Sequence, residues 1–361
     1  MIKILLLNII SLITGVDSIG AMPEATLLFV GDAMQHQAQI DKAFELGERK
    51  EYSYEGCFDL IAPEITNADY AVCNLEVPLG GGPDYSGYPC FNAPDSFAEA
   101  LKSAGFDMML TANNHCLDRR DKAAKRTLVF LDSLGIDHIG TYKDSLQRKE
   151  KIPFIKDING FKIGFLNYTY GTNGILPKDG TEICLIDTIK IKEEIQKTRE
   201  AGAEIIVAAM HWGIEYVLIE NQIQRNLADF LSAQGVELII GGHPHVIQPM
   251  KREYNKKTNK ETLTVFSLGN FISNMKTADT RGGAMIKIKL SRDEKGEVFI
   301  KDATYDLLFA AKPDKENNFR VIPGWMEDKI PLSQIEHWHI FERGAKRIFD
   351  KYNVNIPQTE R

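Results

Sequence analysis

Two apolar runs in this chain stop abruptly at histidine. EIIVAAM at 204–210 ends at His211, and VELIIGG at 236–242 ends at His243 and His245. Short runs rich in Ile and Val, bounded by turn residues, read as buried strands. In open α/β sheets, sites form just beyond the carboxyl ends of the strands. The pattern therefore calls for sheets whose strand ends converge, and it puts three of the eight histidines where a site would be. A histidine at a single strand end can be a satisfied core residue. Three at two ends, two of them in Gly-His-Pro-His, point to a metal cage whose other ligands must come from elsewhere in the chain.

Earlier strands supply candidates. TLLFVGD at 26–32 closes on Asp32, and MQHQAQIDKAFELGER after it reads as a helix or loop-helix. An aspartate there can equally be a helix N-cap, and His36 reads as a neighbour of the site more than as a ligand. DYAVCNLEV at 69–77 stops on Asn74 and Glu76. The Gly- and Pro-rich PLGGGPDYSGYP behind it is loop, either a cleft border or a plain connection. FDMMLTANNHCLD at 106–118 reads as a third strand, stopping on Asn113, Asn114 and His115, with Asp118 three residues on. A helix follows from Arg120 to Leu134, with Gly135 as its C-terminal cap. Asn159-Gly160 between two β-like runs signals a hairpin, and helical patterns cover 187–201 and 219–234.

After Pro249, REYNKKTNKET reads as a polar hairpin turn and LTVFSLGNFIS at 263–273 as one strand. GAMIKIKL and EVFIKDATYDLLF form an antiparallel pair, and 331–349 an amphipathic helix. Strands alternate with helices early and pair as hairpins late. This predicts an α/β sandwich with mixed sheets in a single domain over 22–361.

The formal charge of −7 and the lack of a basic block beyond Lys251, Arg252, Lys256 and Lys257 exclude a nucleic-acid footprint. MIKILLLNIISLITGVDSIGA at 1–21 has the form of a secretory signal peptide cleaved after Ala21. That reading predicts an exported, periplasmic or extracytoplasmic protein; a buried first strand in a cytoplasmic protein is the alternative. No other stretch approaches the roughly 20 apolar residues of a membrane span. The five cysteines show no CxxC spacing, and Cys73 and Cys116 read as small buried fillers.

Five strand ends thus carry polar residues: Asp32; Asn74 and Glu76; Asn114 and His115; His211; His243 and His245. Carboxylate, amide oxygen and imidazole together suit Mn, Fe or Zn. The set is large enough for two divalent ions if one carboxylate bridges. With no cysteine in it, a structural zinc site does not fit.

VGD, NLE, NNHxxD, HWGxEY, GHPHVxQP and SLGNFI, in this order, resemble the capsule-biosynthesis CapA family. That family is itself similar to the calcineurin-like metallophosphoesterases, a four-layer α-β-β-α sandwich of two mixed sheets flanked by helices. The resemblance spans roughly residues 25 to 275. It implies a role in capsule or poly-gamma-glutamate biosynthesis and a dinuclear hydrolase site. It implies Asp32 and His245 at one ion, Asn114, His211 and His243 at the other, and Glu76 bridging, with Asn74 as a helper. His115 would be the general acid, oriented by Asp118, and Glu215 and Asn270 would support the ligands.

The chain departs from that pattern at Met34, where metallophosphoesterases carry the His of Asp-x-His, leaving His36 as a substitute. It departs again where Asn-Leu-Glu replaces the bridging Gly-Asp. Two functions follow: a hydrolase or transferase acting on an anionic envelope polymer or a phosphoester, or a non-catalytic polymer-binding or export factor with a degenerate site. Either could work with other capsule or envelope biosynthesis proteins.

Overall fold

A computed structural model describes residues 22–361; the stretch at 1–21 that reads as a signal peptide lies outside the described residues. The first half runs β1 (Glu24–Ala33), α1 (Gln37–Leu46), α2 (Ala62–Thr66), β2 (Tyr70–Leu75), α3 (Asp95–Ser103), β3 (Met108–Leu110), α4 (Arg120–Ser133), β4 (Asp137–Ile139) and β5 (Thr141–Tyr142). It continues with α5 (Ser145–Lys151), β6 (Phe154–Ile158), β7 (Phe161–Thr169), β8 (Glu182–Ile183) and α6 (Thr188–Glu200). The second half runs β9 (Ile205–His211), α7 (Gln222–Ala233), β10 (Leu238–Gly242), β11 (Met250–Asn255), β12 (Lys260–Val265) and β13 (Asn270–Ile272). It closes with β14 (Gly282–Arg292), β15 (Val298–Ala311), β16 (Arg320–Pro323) and α8 (Ile335–Tyr352).

Two mixed sheets result. In one, the order is β16-β15-β14-β1-β2-β3-β4, with β13 also paired to β1; in the other it is β11-β12-β10-β9-β7-β6. The inner strands β1 to β4 are parallel, as are β7, β9, β10 and β12, while the outer pairs are antiparallel. Asn159 and Gly160 both take positive φ at the β6–β7 hairpin, which joins the strands in a two-residue turn.

The period of two along the strands sorts side chains into layers. Leu27, Phe29, Val72 and Met108 from one sheet meet Val207, Ala209, Leu238 and Ile240 from the other in a shared core. On the far face of the first sheet, Leu28, Val30, Ala71 and Cys73 pack with Phe97 and Leu101 of α3 and Ala43 of α1. On the far face of the second, Ile206, Ala208 and Ile239 pack with Ile191 and Ile195 of α6 and Leu227 and Leu231 of α7. The order helix, sheet, sheet, helix is the expected four-layer sandwich. Trp338, Phe341, Ala345 and Phe349 of α8 close the core between the sheets.

Three expected elements differ, the first being the strand expected over 106–118, which is only β3, Met108–Leu110, with the rest of that stretch in turns. The continuous strand over 263–273 is broken: β12 ends at Val265 in one sheet and β13 starts at Asn270 in the other. The polar stretch after Pro249 is mostly strand, because β11 is an edge with Glu253 and Tyr254 facing solvent.

Candidate metal centre

The parallel strands β1, β2 and β3 of one sheet and β9 and β10 of the other end on the same side of the molecule. Asp32 sits where β1 meets the turn before β13, its N–H donating to Gly269 O at 2.9 Å. Gly31 permits this approach, since a Cβ there would lie 1.9 Å from Gly269 O. Gly242 serves a similar purpose; its Cβ would fall 2.8 Å from Asp32 Oδ1. The HWGIEY and GHPHVIQP motifs are joined by backbone bonds, Trp212 N to Gly242 O and Tyr216 N to Pro244 O.

Asp32, Glu76, Asn114, His211, His243 and His245 are all buried and converge. Asp32 Oδ1 accepts from Asn74 Nδ2 at 2.7 Å, and Oδ2 lies 3.1 Å from His245 Nδ1 and accepts from His243 N at 3.2 Å. His211 Nε2 is 2.8 Å from Asn114 Oδ1 and 3.5 Å from Glu76 Oε1. His245 Nε2 is 3.7 Å from Glu76 Oε1. Two donor groups form, Glu76 with His243 and His245, and Asp32 with Glu76 and His211, each with its atoms within 4.8 Å. Glu76 is common to both, as a bridging ligand would be. These groups pair His211 with Asp32 and His243 with His245, a different partition from the one the resemblance implies.

The electrostatics fit a cation. Glu76 has 0% exposure, and neither carboxylate oxygen has a hydrogen-bond donor. Burial, reinforced by the charge of Asp32, drives its pKa well above the usual range. His243 Nδ1 is also buried without a partner. Burial pushes His211 down to about 3 and His243 down to about 2, keeping both imidazoles in the neutral form a metal needs. For His245 burial acts in the same direction, but Glu76 and Asp32 outweigh it and raise the ring to about 9. Burial would raise Asp32, yet the contact with His245 holds it down to about 2. Unpaired carboxylate and imidazole atoms packed together are expensive alone and are satisfied together by a divalent ion.

His243 and His245 have φ of 96° and 58°. Left-handed backbone at residues other than glycine costs on the order of 1–3 kcal/mol and clusters at functional sites. Beside the cage, His115 Nδ1 lies 2.7 Å from Asp118 Oδ2, which also accepts from Phe91 N at 2.8 Å. Burial opposes a charge on His115, but the bond to Asp118 and the nearby Glu76 raise its pKa.

Of the supporting candidates, Asn74 links Asp32 to His211, and Asn270 Oδ1 lies 3.1 Å from His245 Nδ1. Glu215 is exposed on the loop after His211. His36 belongs to neither donor group, and its Nδ1 accepts from Asn274 N at 3.2 Å. Met34 is buried in the apolar cluster behind the first sheet. His138 pairs with Asp132 away from the site, and Trp212 fills core, donating to Phe266 O.

The sequence reading missed three contributors. Asn173 approaches His115 Nδ1 at 3.4 Å and accepts from Asn114 Nδ2 at 3.2 Å. The Tyr170 ring lies 4.5 Å from that of His243, and Phe91 packs edge-on against His115 at 4.6 Å. Tyr170 and Asn173 follow β7, the neighbour of β9, so their strand end also belonged to the converging set.

Residues 26–275 match the family described as bacterial capsule synthesis protein PGA_cap. The chain is 28% identical to the PGA biosynthesis protein CapA of Bacillus subtilis (strain 168) over 272 residues, covering 74% of this chain and 68% of that one. It is 25% identical to the capsule biosynthesis protein CapA of Bacillus anthracis over 349 residues, covering 89% and 80%. Among solved structures, the Haemophilus influenzae NAD nucleotidase is similar at 10% identity with a TM-score of 0.47. That likeness covers 93% of this chain but only 57% of the nucleotidase, and it is too weak to bear on function. No helix among the described residues is long and apolar enough to cross a membrane.

Proposed function

The chain belongs to the bacterial capsule synthesis protein PGA_cap family, and from that premise we propose that it is a metal-dependent hydrolase or transferase of capsule or poly-gamma-glutamate assembly. The observation that carries this reading is Glu76, a fully buried carboxylate with no donor on either oxygen, shared between two donor groups. Asp32, Glu76, Asn114, His211, His243 and His245 would hold one or two divalent ions, Mn, Fe or Zn by their chemistry. An ion held there supplies Lewis-acid polarisation of a phosphoryl, ester or γ-glutamyl amide oxygen.

The protein's own part is proton delivery. Asp118 fixes the Nδ1–H of His115, which leaves Nε2 to carry a proton to the leaving group. Phe91 packs on the ring and excludes water from one face, and Asn113 Oδ1 anchors the turn by accepting from His115 N at 3.1 Å. The leader is read as directing export, so this chemistry would act on an envelope polymer.

Metal analysis of the purified chain tests the reading, alongside Asp32→Ala and His245→Ala. Stoichiometric metal that disappears in both variants supports it. A metal-free wild type that still sustains polymer production in cells defeats it. A second reading, a non-catalytic polymer-binding or export factor, is favoured by Met34, which is buried in an apolar cluster where the resemblance expects a histidine. Full polymer production by a His115→Ala strain would select it.

A further inference from the structure

Three cations gather about the loop that follows β13, and the proposed chemistry uses none of them. Lys312 Nζ donates to Asn274 Oδ1 at 2.6 Å and to Met275 O at 3.1 Å, and lies 5.3 Å from the centre of the Phe319 ring. Arg281 returns to the same loop, its guanidinium donating to Lys276 O at 3.3 and 3.4 Å. Among the described residues, no carboxylate comes within 4.0 Å of Lys276, Arg281 or Lys312. Burial, then the charges of Arg281 and Lys276, lowers Lys312 to about 8. Three cations with no carboxylate in ion-pair contact, although Asp279 lies in the same loop, repel one another at a standing cost that a bound oxyanion would reduce.

Their place in the fold ties them to the site. The loop over 273–281 leaves β13 directly after Ile272, two residues on from Asn270. Asn270 approaches His245 through Oδ1 and donates through Nδ2 to Thr280 O at 2.9 Å, so one residue holds both a cage histidine and the loop. Asn274 N bonds His36, whose ring packs at 5.4 Å on Phe91, the residue against His115.

We infer that Lys276, Arg281 and Lys312 form an oxyanion subsite that holds a carboxylate or phosphate of a polyanionic substrate next to the metal centre. The inference rests on the proposed function and adds to it the side chains that would hold the anionic substrate. The loop explains how a chain with an acidic balance would engage a polyanion: the attraction is local, not global. Lys312 also pins the loop, whereas the Lys276 side chain makes no hydrogen bond among the described residues, so its removal tests charge without loosening the fold.

The test is binding of a fluorescent γ-glutamyl oligomer and of polyphosphate of matched charge to the full chain, followed by anisotropy. It is run for wild type, Lys276→Met, Arg281→Met and the control Lys257→Met on the β11–β12 turn. Each of the first two should weaken binding about tenfold, the size of one lost charge-assisted contact. Both should flatten the salt dependence, and the control should change neither. Tight binding of the oligomer alone identifies a carboxylate ligand, and of polyphosphate alone a phosphate ligand. Wild-type affinity in both variants, or no binding of either polymer to wild type, overturns the inference. Metal content is measured on the same samples: a chain that binds no metal yet binds polymer through Lys276 and Arg281 refutes the metal reading and leaves the subsite standing.

Discussion

Replacing Glu76 by Gln should make the metal-free protein more stable and the metal-loaded protein less so. The carboxylate is fully buried and has no donor on either oxygen. A buried polar group left unsatisfied costs about 1–3 kcal/mol, and more when charged. The attraction of His245, at 3.7 Å, returns part of that, while burial and Asp32 act against it. A net gain of about 1 kcal/mol for the amide follows, a rise in melting temperature of about 2 °C for a chain of this size. The sign with pH is fixed. An acid whose folded pKa is raised above its unfolded value loses stability as pH climbs from the unfolded value through the folded one. The advantage of the amide should therefore vanish below about pH 4 and grow above it. With a divalent ion at 100 times its dissociation constant, wild type should gain about 2.7 kcal/mol. The Glu76→Gln variant lacks the shared negative ligand and should keep less than half of that gain. Urea denaturation at pH 7.5, after chelation and again with added Mn²⁺, measures both quantities. A metal-free variant less stable than wild type, or equal metal-induced gains, would refute the assignment of Glu76 as a ligand.

His115→Ala should reduce turnover of any substrate found by about 10²–10⁴-fold, the usual contribution of a positioned acid, with metal content unchanged by elemental analysis. Asp118→Asn should cost less and shift the alkaline limb of the pH–rate profile to lower pH, because it removes the charge that raises His115, the proton donor. Gly31→Ala should destabilise by about 3 kcal/mol in urea, since the new Cβ meets a backbone oxygen that cannot swing away. Burial would raise Asp121, but the bonds it accepts from Lys178 N and Asp179 N hold it down to about 2. Its contribution should be present above about pH 4 and fade as pH falls toward 2. Asp121→Asn should cost about 1–2 kcal/mol at neutral pH and flatten that acid limb, read by thermal melts across the range.

The layer order was legible because period two and period 3.6 are written into the apolar residues. VGD, NLE and the two histidine runs mark parallel strand ends without ambiguity. The failures have a common cause. LTVFSLGNFIS is apolar throughout, so it reads as one strand. Its residues serve three packing environments, with Val265 and Leu268 in the core between the sheets, Phe266 against α7, and Phe271 and Ile272 behind the first sheet. Gly269, at φ 69°, makes the crossing. A hydrophobic pattern reports burial, not which surface does the burying. The third strand fails in the opposite way: Thr111 to Asp118 is buried like a strand, but its side-chain amides bond the backbone. Asn113 donates through Nδ2 to Leu75 O and accepts through Oδ1 from His115 N, turning the chain instead of extending it.

The site shows the same division between residue type and geometry. Ligand types could be read because strand ends concentrate them, but their grouping depends on backbone angles that no residue in Gly-His-Pro-His announces. His243 and His245 both lie in the left-handed region, where glycine or asparagine would be expected. The strain is held in place by Asp32, which takes the N–H of His243 and faces the ring of His245, and by Tyr216 N on Pro244 O. Asp32 thus does two jobs, offering an oxygen to the cage and fixing the turn that presents two imidazoles. Asp32→Asn keeps the shape and one acceptor oxygen but loses the charge opposite His245. Asp32→Ala loses the turn as well. If the turn is what sets the grouping, Ala should lower metal affinity well beyond Asn, by at least about tenfold, in calorimetric titration of the chelated protein. Equal losses would mean that Asp32 acts through its charge alone and that the turn holds without it.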